Sequence, residues 1–175
     1  MDRVVVKTPR LVLKRFSIRD AAGFFELNSD PEVLRFSGDL PFASIKEART
    51  FIRAYRQYDL YGFGRWSVYL LDTNEYLGFC GLNFSTAKQE ADLGFRLMRR
   101  VWGQGFATEA GFACLRIGFS KYGLEKIVGR AMPENAASLR VLQKLGMTYE
   151  KEFDEDGIRW VQMSIRRDEF GNFYE

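Results

Sequence analysis

The sequence has 175 residues and a formal net charge of +3, with 46% hydrophobic and 28% charged residues. This length and composition fit a single domain over residues 1–175, and they indicate neither nucleic acid binding nor a membrane span, so we expect a cytoplasmic protein. Histidine is absent and there are two cysteines, which excludes Ser-His-Asp and Cys-His catalysis and predicts no metal site.

Two capping boxes indicate helix starts in the first third of the chain. In each, a serine precedes an acidic residue by three positions, so the two side chains can satisfy free backbone N–H groups at the helix start. These pairs are Ser17 with Asp20 and Ser44 with Glu47. The elements predicted up to residue 84 are a strand at 11–16, a helix to about 28, a helical turn at 33–36, a helix from 44 to about 58, and a hairpin of strands at 65–71 and 76–84.

The rest of the chain alternates strands with helices. A strand at 91–98 leads through a glycine-containing turn to an amphipathic helix from Phe106 to about Tyr122. A helix that begins at Asn135 is closed by Gly146. Cys80 and Cys114 each lie among apolar residues, which indicates that both thiols are buried. The remaining predicted elements are strands at 127–132, 147–153 and 158–165. This order predicts an α/β (α+β) fold, a mixed sheet of about six or seven strands with helices on both faces.

The turn between the strand predicted at 91–98 and the helix that begins at Phe106 contains Gly103 and Gly105. Glycine can adopt a positive φ and lets a ligand approach the main chain. The first N–H groups of the following helix lack internal partners and lie at the positive end of its dipole, so they can bind a phosphate. Arg99 and Arg100 add positive charge. The turn therefore predicts an anion site, with an ordinary turn and solvated arginines as the alternative on this motif alone.

The motif also limits which class of phosphate ligand the turn could bind. It lacks the Lys-Ser/Thr of a nucleoside triphosphate loop and the third glycine of a dinucleotide fold. Residues 100–105 read Arg-Val-Trp-Gly-Gln-Gly, which resembles the Q/R-x-x-G-x-G/A signature of the GNAT acetyltransferases. In order and spacing, residues 8–13, 102–110, 135–138 and 144–147 are similar to the RimJ/RimL-like branch of that family.

The resemblance implies a single-domain GNAT fold with a mostly antiparallel, twisted sheet. It also implies an N-acetyltransferase with acetyl-CoA as cosubstrate and no metal. The expected acceptor is a primary amine, preferably the N-terminal α-amine of a protein or peptide. A small amine such as a polyamine, amino acid or aminoglycoside stays open, as does a non-catalytic CoA-binding module. We expect a monomer or homodimer.

The acceptor amine must lose a proton, because alkyl amines have pKa values near 10 and α-amines near 7.7–8.0. Without histidine, a carboxylate acting directly or through water is the candidate base. Asp92 lies in a strand that resembles the one carrying a Glu base in several GNAT branches. Glu90 shares its face of the strand, and strand alternation cannot decide between them. By the same resemblance, the N–H of Leu97 polarises the acetyl carbonyl.

Asn135 and Ser138 lie three residues apart at a helix start. On spacing alone they are an N-cap and a surface serine. The resemblance implies instead that Asn135 contacts CoA and that Ser138 lies near its sulfur as a candidate acid for the thiolate. Many GNAT enzymes have a tyrosine seven residues after that asparagine, but this chain has Leu142 there.

The resemblance thus selects two groups of residues. Those expected to contact acetyl-CoA are Phe95, Leu97, Arg99, Arg100, Val101, Trp102, Gly103, Gln104, Gly105, Phe106, Ala107, Thr108, Asn135 and Ser138. The acceptor is expected between the first helices and the last hairpin, near Phe36, Asp39, Phe42, Trp160 and the acidic turn Asp154-Glu155-Asp156. Carboxylates at the mouth of that region would attract a cationic amine.

Overall fold

The computed structural model describes residues 3–174, within which one eight-stranded sheet is covered by helices on both faces. The strands are β1 Val4–Lys7, β2 Leu11–Arg15, β3 Arg65–Leu70, β4 Tyr76–Ser85, β5 Glu90–Leu97, β6 Lys126–Ala131, β7 Thr148–Glu155 and β8 Ile158–Arg166. The α-helices are α1 Ala21–Leu27, α2 Pro31–Leu34, α3 Ile45–Ala54, α4 Gln57–Tyr61, α5 Phe106–Ser120, α6 Ala136–Lys144 and α7 Arg167–Tyr174.

The sheet is mixed and mostly antiparallel, which confirms the predicted fold class. Its order is β1-β2-β3-β4-β5-β6-β8-β7, and only β5 and β6 pair in parallel. The count of about six or seven strands was too low. The additional strand is β1, a run of three valines and a lysine that has no alternating pattern of its own and is ordered by pairing with β2.

The prediction of one helix from residue 44 to about 58 is wrong, because this segment forms the two helices α3 and α4. Ser44 caps α3 as expected, but Tyr55 has an extended conformation (φ −72°, ψ 114°) and α4 begins at Gln57. The Tyr55 hydroxyl accepts a hydrogen bond from the Arg65 N–H at 2.6 Å and donates one to Asn83 Oδ1. These long-range contacts require the chain to leave the helix at Tyr55.

Smaller differences occur at three other helices. The capping box of Ser17 and Asp20 is present, but it caps a 3-10 turn at Ile18–Asp20 that leads into α1. The turn expected at 33–36 is α2, which begins earlier because Asp30 caps it and Pro31 occupies its first position. Helix α7 was not predicted from the sequence.

Side chains on neighbouring positions of β4 point to opposite faces of the sheet and meet different helices. Cys80 faces α5, where its sulfur lies 3.7 Å from that of Cys114. Phe79 faces α1, with its ring centroid 6.0 Å from that of Phe24. A Cβ added to Gly111 of α5 would lie 2.7 Å from Leu145 Cδ1, so this glycine allows α5 to pack closely against the α6 region.

Candidate active site

A cleft of about 1050 Å³ opens where β5 and β6 separate. The two parallel strands pair only over residues 91–93 and 127–129, although β5 continues to Leu97 and β6 to Ala131. The cleft is lined by the free part of β5, the start of α5, the start of α6, and aromatic side chains from the N-terminal half. Its volume is sufficient for a large ligand.

The glycine turn forms one wall of the cleft. Gly103 and Gly105 have φ values of +74° and +81°, which only glycine adopts readily. Gly105 is the N-cap of the 15-residue helix α5 and supplies no side-chain cap, so the first N–H groups of α5 lack a partner from the helix. A Cβ at Gly103 would meet no atom within 4 Å. The turn therefore has the exposed main chain and the helix dipole that an anion site requires.

Three of the predicted cofactor residues do not line the cleft. Arg99 forms an ion pair with Asp30 at 3.2 Å. Arg100 pairs with Glu26 and Glu75 at 3.4 and 3.0 Å. Gln104 also lies outside the lining. A phosphate contact from these side chains would require them to leave their present positions, so their role stays a prediction from the motif and the resemblance.

Arg10 supports the glycine turn from behind, a role that the sequence motif did not reveal. Its Nη1 donates to the Gln104 carbonyl at 2.9 Å, and its Nε donates to Glu109 Oε2 at 2.6 Å. Glu109 Oε1 accepts from the Thr8 hydroxyl and the Arg10 N–H at 2.6 and 2.9 Å. Burial raises the pKa of Glu109, but these hydrogen bonds outweigh it and lower the pKa below its usual value. We call Thr8, Arg10 and Glu109 the turn clamp.

The free part of β5 presents backbone N–H groups to the gap. Met98 N–H donates to the Leu77 carbonyl at 2.8 Å, so the position next to it, Leu97, directs its own N–H and C=O away from β4. The Leu97 carbonyl accepts from the Trp102 indole N–H at 2.8 Å. Phe95 has the same orientation by alternation. The Leu97 N–H therefore faces the gap, and its role toward the acetyl carbonyl stays a prediction.

Asp92 lines the cleft but is not a free carboxylate. Its Oδ2 lies 2.5 Å from Arg65 Nη2, and its Oδ1 lies 3.9 Å from Arg130 Nη1. Arg65 crosses β5 over Gly94, where a Cβ would lie 2.4 Å from its Nη2. Burial lowers the pKa of Arg65, but the adjacent Asp92 carboxylate raises it by more, so the guanidinium stays charged. Proton acceptance by Asp92 must therefore compete with this ion pair.

The structure separates Glu90 from Asp92. Glu90 pairs with Arg130 and lines a second, smaller cavity with Lys88, Lys151, Phe153 and Gln162. It does not line the main cleft. Of the two carboxylates that the strand pattern left open, only Asp92 lines the main cleft.

Asn135 and Ser138 lie together at the start of α6, as predicted. Asn135 Oδ1 accepts from the Ser138 N–H at 3.2 Å, so Asn135 is an N-cap, and both side chains line the cleft. Leu142 is buried in the core. Arg140 and Lys144 of the same helix also line the cleft and have no ion pair within residues 3–174. They add positive charge that the sequence motifs did not indicate.

Most of the residues expected near the acceptor line the cleft. Phe36, Asp39, Phe42 and Trp160 line the cleft. Of the acidic turn, only Glu155 does so, and it pairs with Lys88 at 2.9 Å. Within the described residues there is no group of His, Cys, Asp and Glu that could hold a metal ion. Across residues 3–174, every helix is too short or too polar to cross a membrane.

Comparisons with known proteins identify related sequences. A family model described as an acetyltransferase (GNAT) domain matches residues 10–148, a range that includes β5, the glycine turn and α6. An uncharacterized N-acetyltransferase from Bacillus licheniformis, p20, is 33% identical over 147 residues, which cover 83% of this chain and 82% of that protein.

Solved structures share the fold. An acetyltransferase of the GNAT family from Bacillus anthracis has a TM-score of 0.82 at 24% identity, over 93% of this chain and 98% of its own. Spermidine N-acetyltransferase from Vibrio cholerae, in complex with CoA and spermine, has a TM-score of 0.80 at 19% identity, over 94% and 100%. RimL, a ribosomal alpha-N-protein acetyltransferase in complex with coenzyme A, has a TM-score of 0.80 at 17% identity, over 93% and 97%.

Proposed function

This chain belongs to the GNAT acetyltransferase family and is an acetyl-CoA-dependent N-acetyltransferase, and from that premise we propose that it acetylates a primary amine by direct attack in a ternary complex. The preferred acceptor in this proposal is the N-terminal α-amine of a protein or peptide. One observation carries the proposal of direct attack. The gap between β5 and β6 beside residues 94–97 has the glycine turn and α6 at its edges, and Asp92 of β5 lies where this gap begins. The protein is proposed to act in the cytoplasm as a monomer or homodimer.

The chain's own groups fit acetyl-CoA. The main chain at Gly103 and Gly105 and the first turn of α5 would hold the pyrophosphate. Asn135 would contact the pantetheine arm, and the N–H groups of Phe95 and Leu97 face the place where that arm would pair with β5. Val101, Trp102, Phe106, Ala107 and Thr108 complete this wall of the cleft. Arg140 and Lys144 supply cations for the remaining phosphate.

The reaction requires two proton transfers. Asp92, directly or through water, would take the proton that the amine loses as its nitrogen bonds to the acetyl carbon. The Leu97 N–H would stabilise the negative charge on the acetyl oxygen. When the C–S bond breaks, Ser138 or water would return a proton to the thiolate. Burial raises the pKa of the Tyr55 phenol to about 12, so this nearby hydroxyl stays protonated and does not act as the base.

The acceptor class is tested with a panel of amines and free thiol release as the readout. We expect acceptor-dependent thiol release, fastest with peptides that have a free N-terminus. Faster turnover of small amines would favour the second acceptor class. Binding of acetyl-CoA without thiol release for any acceptor would favour the non-catalytic alternative.

The cofactor wall is tested by Gly105→Val. A Cβ at this position would lie 3.4 Å from Arg10 Nη2 and would be strained at the positive φ, so the exposed main chain of the turn should shift and acetyl-CoA affinity should fall by about tenfold or more while the protein stays folded. Gly123→Val is the control for backbone strain, since Gly123 also has a positive φ (+67°) but lies beyond the far end of α5, where an added Cβ would meet no atom within 4 Å. Equal affinity in the two variants would contradict the assignment.

A further inference from the structure

Aromatic side chains cover the part of the cleft that lies on the α1 and α3 face of the sheet. Six rings line it, and neighbouring ring centroids are separated by 5.0 to 6.4 Å. We call this set the aromatic wall: Phe16, Phe24, Phe42, Phe51, Tyr55 and Phe79. An apolar surface of this kind inside a cleft favours ligands that bury a ring or a branched carbon chain against it.

The aromatic wall is adjacent to the candidate base. The Tyr55 hydroxyl is hydrogen-bonded to the Arg65 N–H and to Asn83. Asn83 is the partner of Asp92 in the β4–β5 ladder, and Arg65 binds Asp92 directly. An amine whose nitrogen approaches Asp92 would therefore place its neighbouring carbon atoms against the aromatic wall.

The acidic side chains that line the cleft are already paired. There are four of them, and each lies within 4 Å of a basic group: Glu32 with Arg35 at 3.9 Å, Asp39 with Arg96 at 2.7 Å, Asp92 with Arg65 at 2.5 Å, and Glu155 with Lys88 at 2.9 Å. Six basic residues line the same cleft: Arg35, Arg65, Arg96, Arg130, Arg140 and Lys144. Arg140 and Lys144 are the two assigned above to a phosphate of acetyl-CoA, and the other four match the four carboxylates in number, so a ligand with several positive charges would find no unpaired carboxylate.

We propose that the acceptor is an amine with one positive charge and an aromatic or branched apolar group next to the carbon that bears the nitrogen, and that polyamines are poor acceptors. This deepens the proposed function and rests on it. The same chemistry occurs in a free arylalkylamine and in a peptide whose first residue is aromatic. The aromatic wall selects the apolar group, and the paired carboxylates select against a second cation.

The first test compares kcat/KM for matched acceptors with thiol release as the readout. We expect 2-phenylethylamine to exceed both butylamine and spermidine by about tenfold or more, since burying a ring is favourable. The tripeptides Phe-Ala-Ala and Ser-Ala-Ala form the second arm. A preference for the aromatic first residue, with peptides faster than free amines, identifies a peptide acceptor, and the reverse order identifies a small amine.

The second test removes one ring. Phe51 is 43% exposed, so Phe51→Ala takes away part of the aromatic wall without emptying the core. It should lower kcat/KM for 2-phenylethylamine several-fold and lower that for butylamine by less, because butylamine has no ring to bury against the wall. Tyr149→Ala, which removes an exposed ring of β7 outside the cleft, should change neither. A third variant, Arg96→Gln, leaves Asp39 unpaired and should raise kcat/KM for spermidine.

The outcomes distinguish this inference from the proposed function. Turnover of spermidine as fast as that of 2-phenylethylamine would overturn the inference alone, and so would equal losses for 2-phenylethylamine and butylamine in Phe51→Ala. Absence of thiol release with all the acceptors would overturn the proposed function.

Discussion

At the scale of single residues, the proposed proton transfer depends on Asp92. Asp92→Asn keeps the shape of the side chain but removes proton acceptance, so turnover should fall by about 10²–10⁴-fold with little change in acetyl-CoA affinity. The measurement is the pH profile of thiol release together with direct binding of acetyl-CoA.

A control must separate the loss of the base from the loss of an ion pair. Glu150→Gln serves this purpose, because Glu150 is a strand carboxylate that pairs with Lys126 and accepts from Gln162 outside the cleft. It should keep wild-type turnover. If Asp92→Asn also keeps wild-type turnover across the pH profile, then water or the amine's own deprotonation must serve instead.

Ser138 should matter less than Asp92. A thiol has a pKa near 8.5 and can leave without obligatory help near neutral pH, so Ser138→Ala should reduce turnover by less than Asp92→Asn does. The backbone N–H of residue 138 still donates to Asn135, so the start of α6 is retained. Turnover is compared for fast and slow acceptors, and the loss should be larger with fast ones. A loss equal to that of Asp92→Asn would make protonation of the thiolate the difficult step.

At the scale of elements, the turn clamp connects the β1–β2 turn to the first turn of α5. Glu109→Gln weakens its contacts with Arg10 and Thr8, so we expect a loss of about 1 kcal/mol in the free energy of unfolding and weaker acetyl-CoA binding. Asp59→Asn, which removes an exposed carboxylate paired with Arg56 on α4, should affect neither. Urea unfolding and acetyl-CoA titration measure both quantities.

The contribution of the turn clamp should depend on pH in a defined direction. The pKa of Glu109 is lower in the folded state, so the stabilisation is fully present above the unfolded value near 4.3 and is lost as the pH falls through the folded value. The difference in unfolding free energy between wild type and Glu109→Gln should therefore be complete at pH 7 and shrink below about pH 4. A difference that persists unchanged at low pH would contradict a role for the ionised carboxylate.

At the scale of the whole molecule, the two cysteines report on global stability. Cys80 and Cys114 are fully buried between β4 and α5, and burial raises the pKa of the Cys114 thiol well above its usual value. A buried, protonated thiol is inert, so thiol reagents should label the native protein only when the core opens.

Acetyl-CoA should protect these thiols by mass action. A ligand at 100 times its Kd stabilises the native state by about 2.7 kcal/mol, so labelling through unfolding should slow by about a hundredfold. Labelling is followed with a chromogenic disulfide reagent, with denatured protein as the reference for complete reaction. Rapid labelling of the native protein, unaffected by acetyl-CoA, would show local rather than global opening.

The sequence by itself determined the features that depend on neighbouring residues. Serine and asparagine caps, the two glycines before α5 and the alternating strands act within a few positions, so the glycine turn, the placement of Asn135 with Ser138 and the element order apart from β1, α7 and the break between α3 and α4 followed from the pattern. The motif resemblance extended this to the fold class and to the family, both of which the comparisons support.

Only the tertiary structure decided the features that depend on distant residues. β1 is ordered by β2, the break at Tyr55 follows from its contacts with Arg65 and Asn83, and Arg10 reaches the glycine turn 94 positions away. Strand alternation could not separate Glu90 from Asp92, and the basic residues that pair with Asp92 come from two other strands. The reason is physical: a side chain's partners are set by sheet pairing and packing, which bring together residues that no local pattern connects.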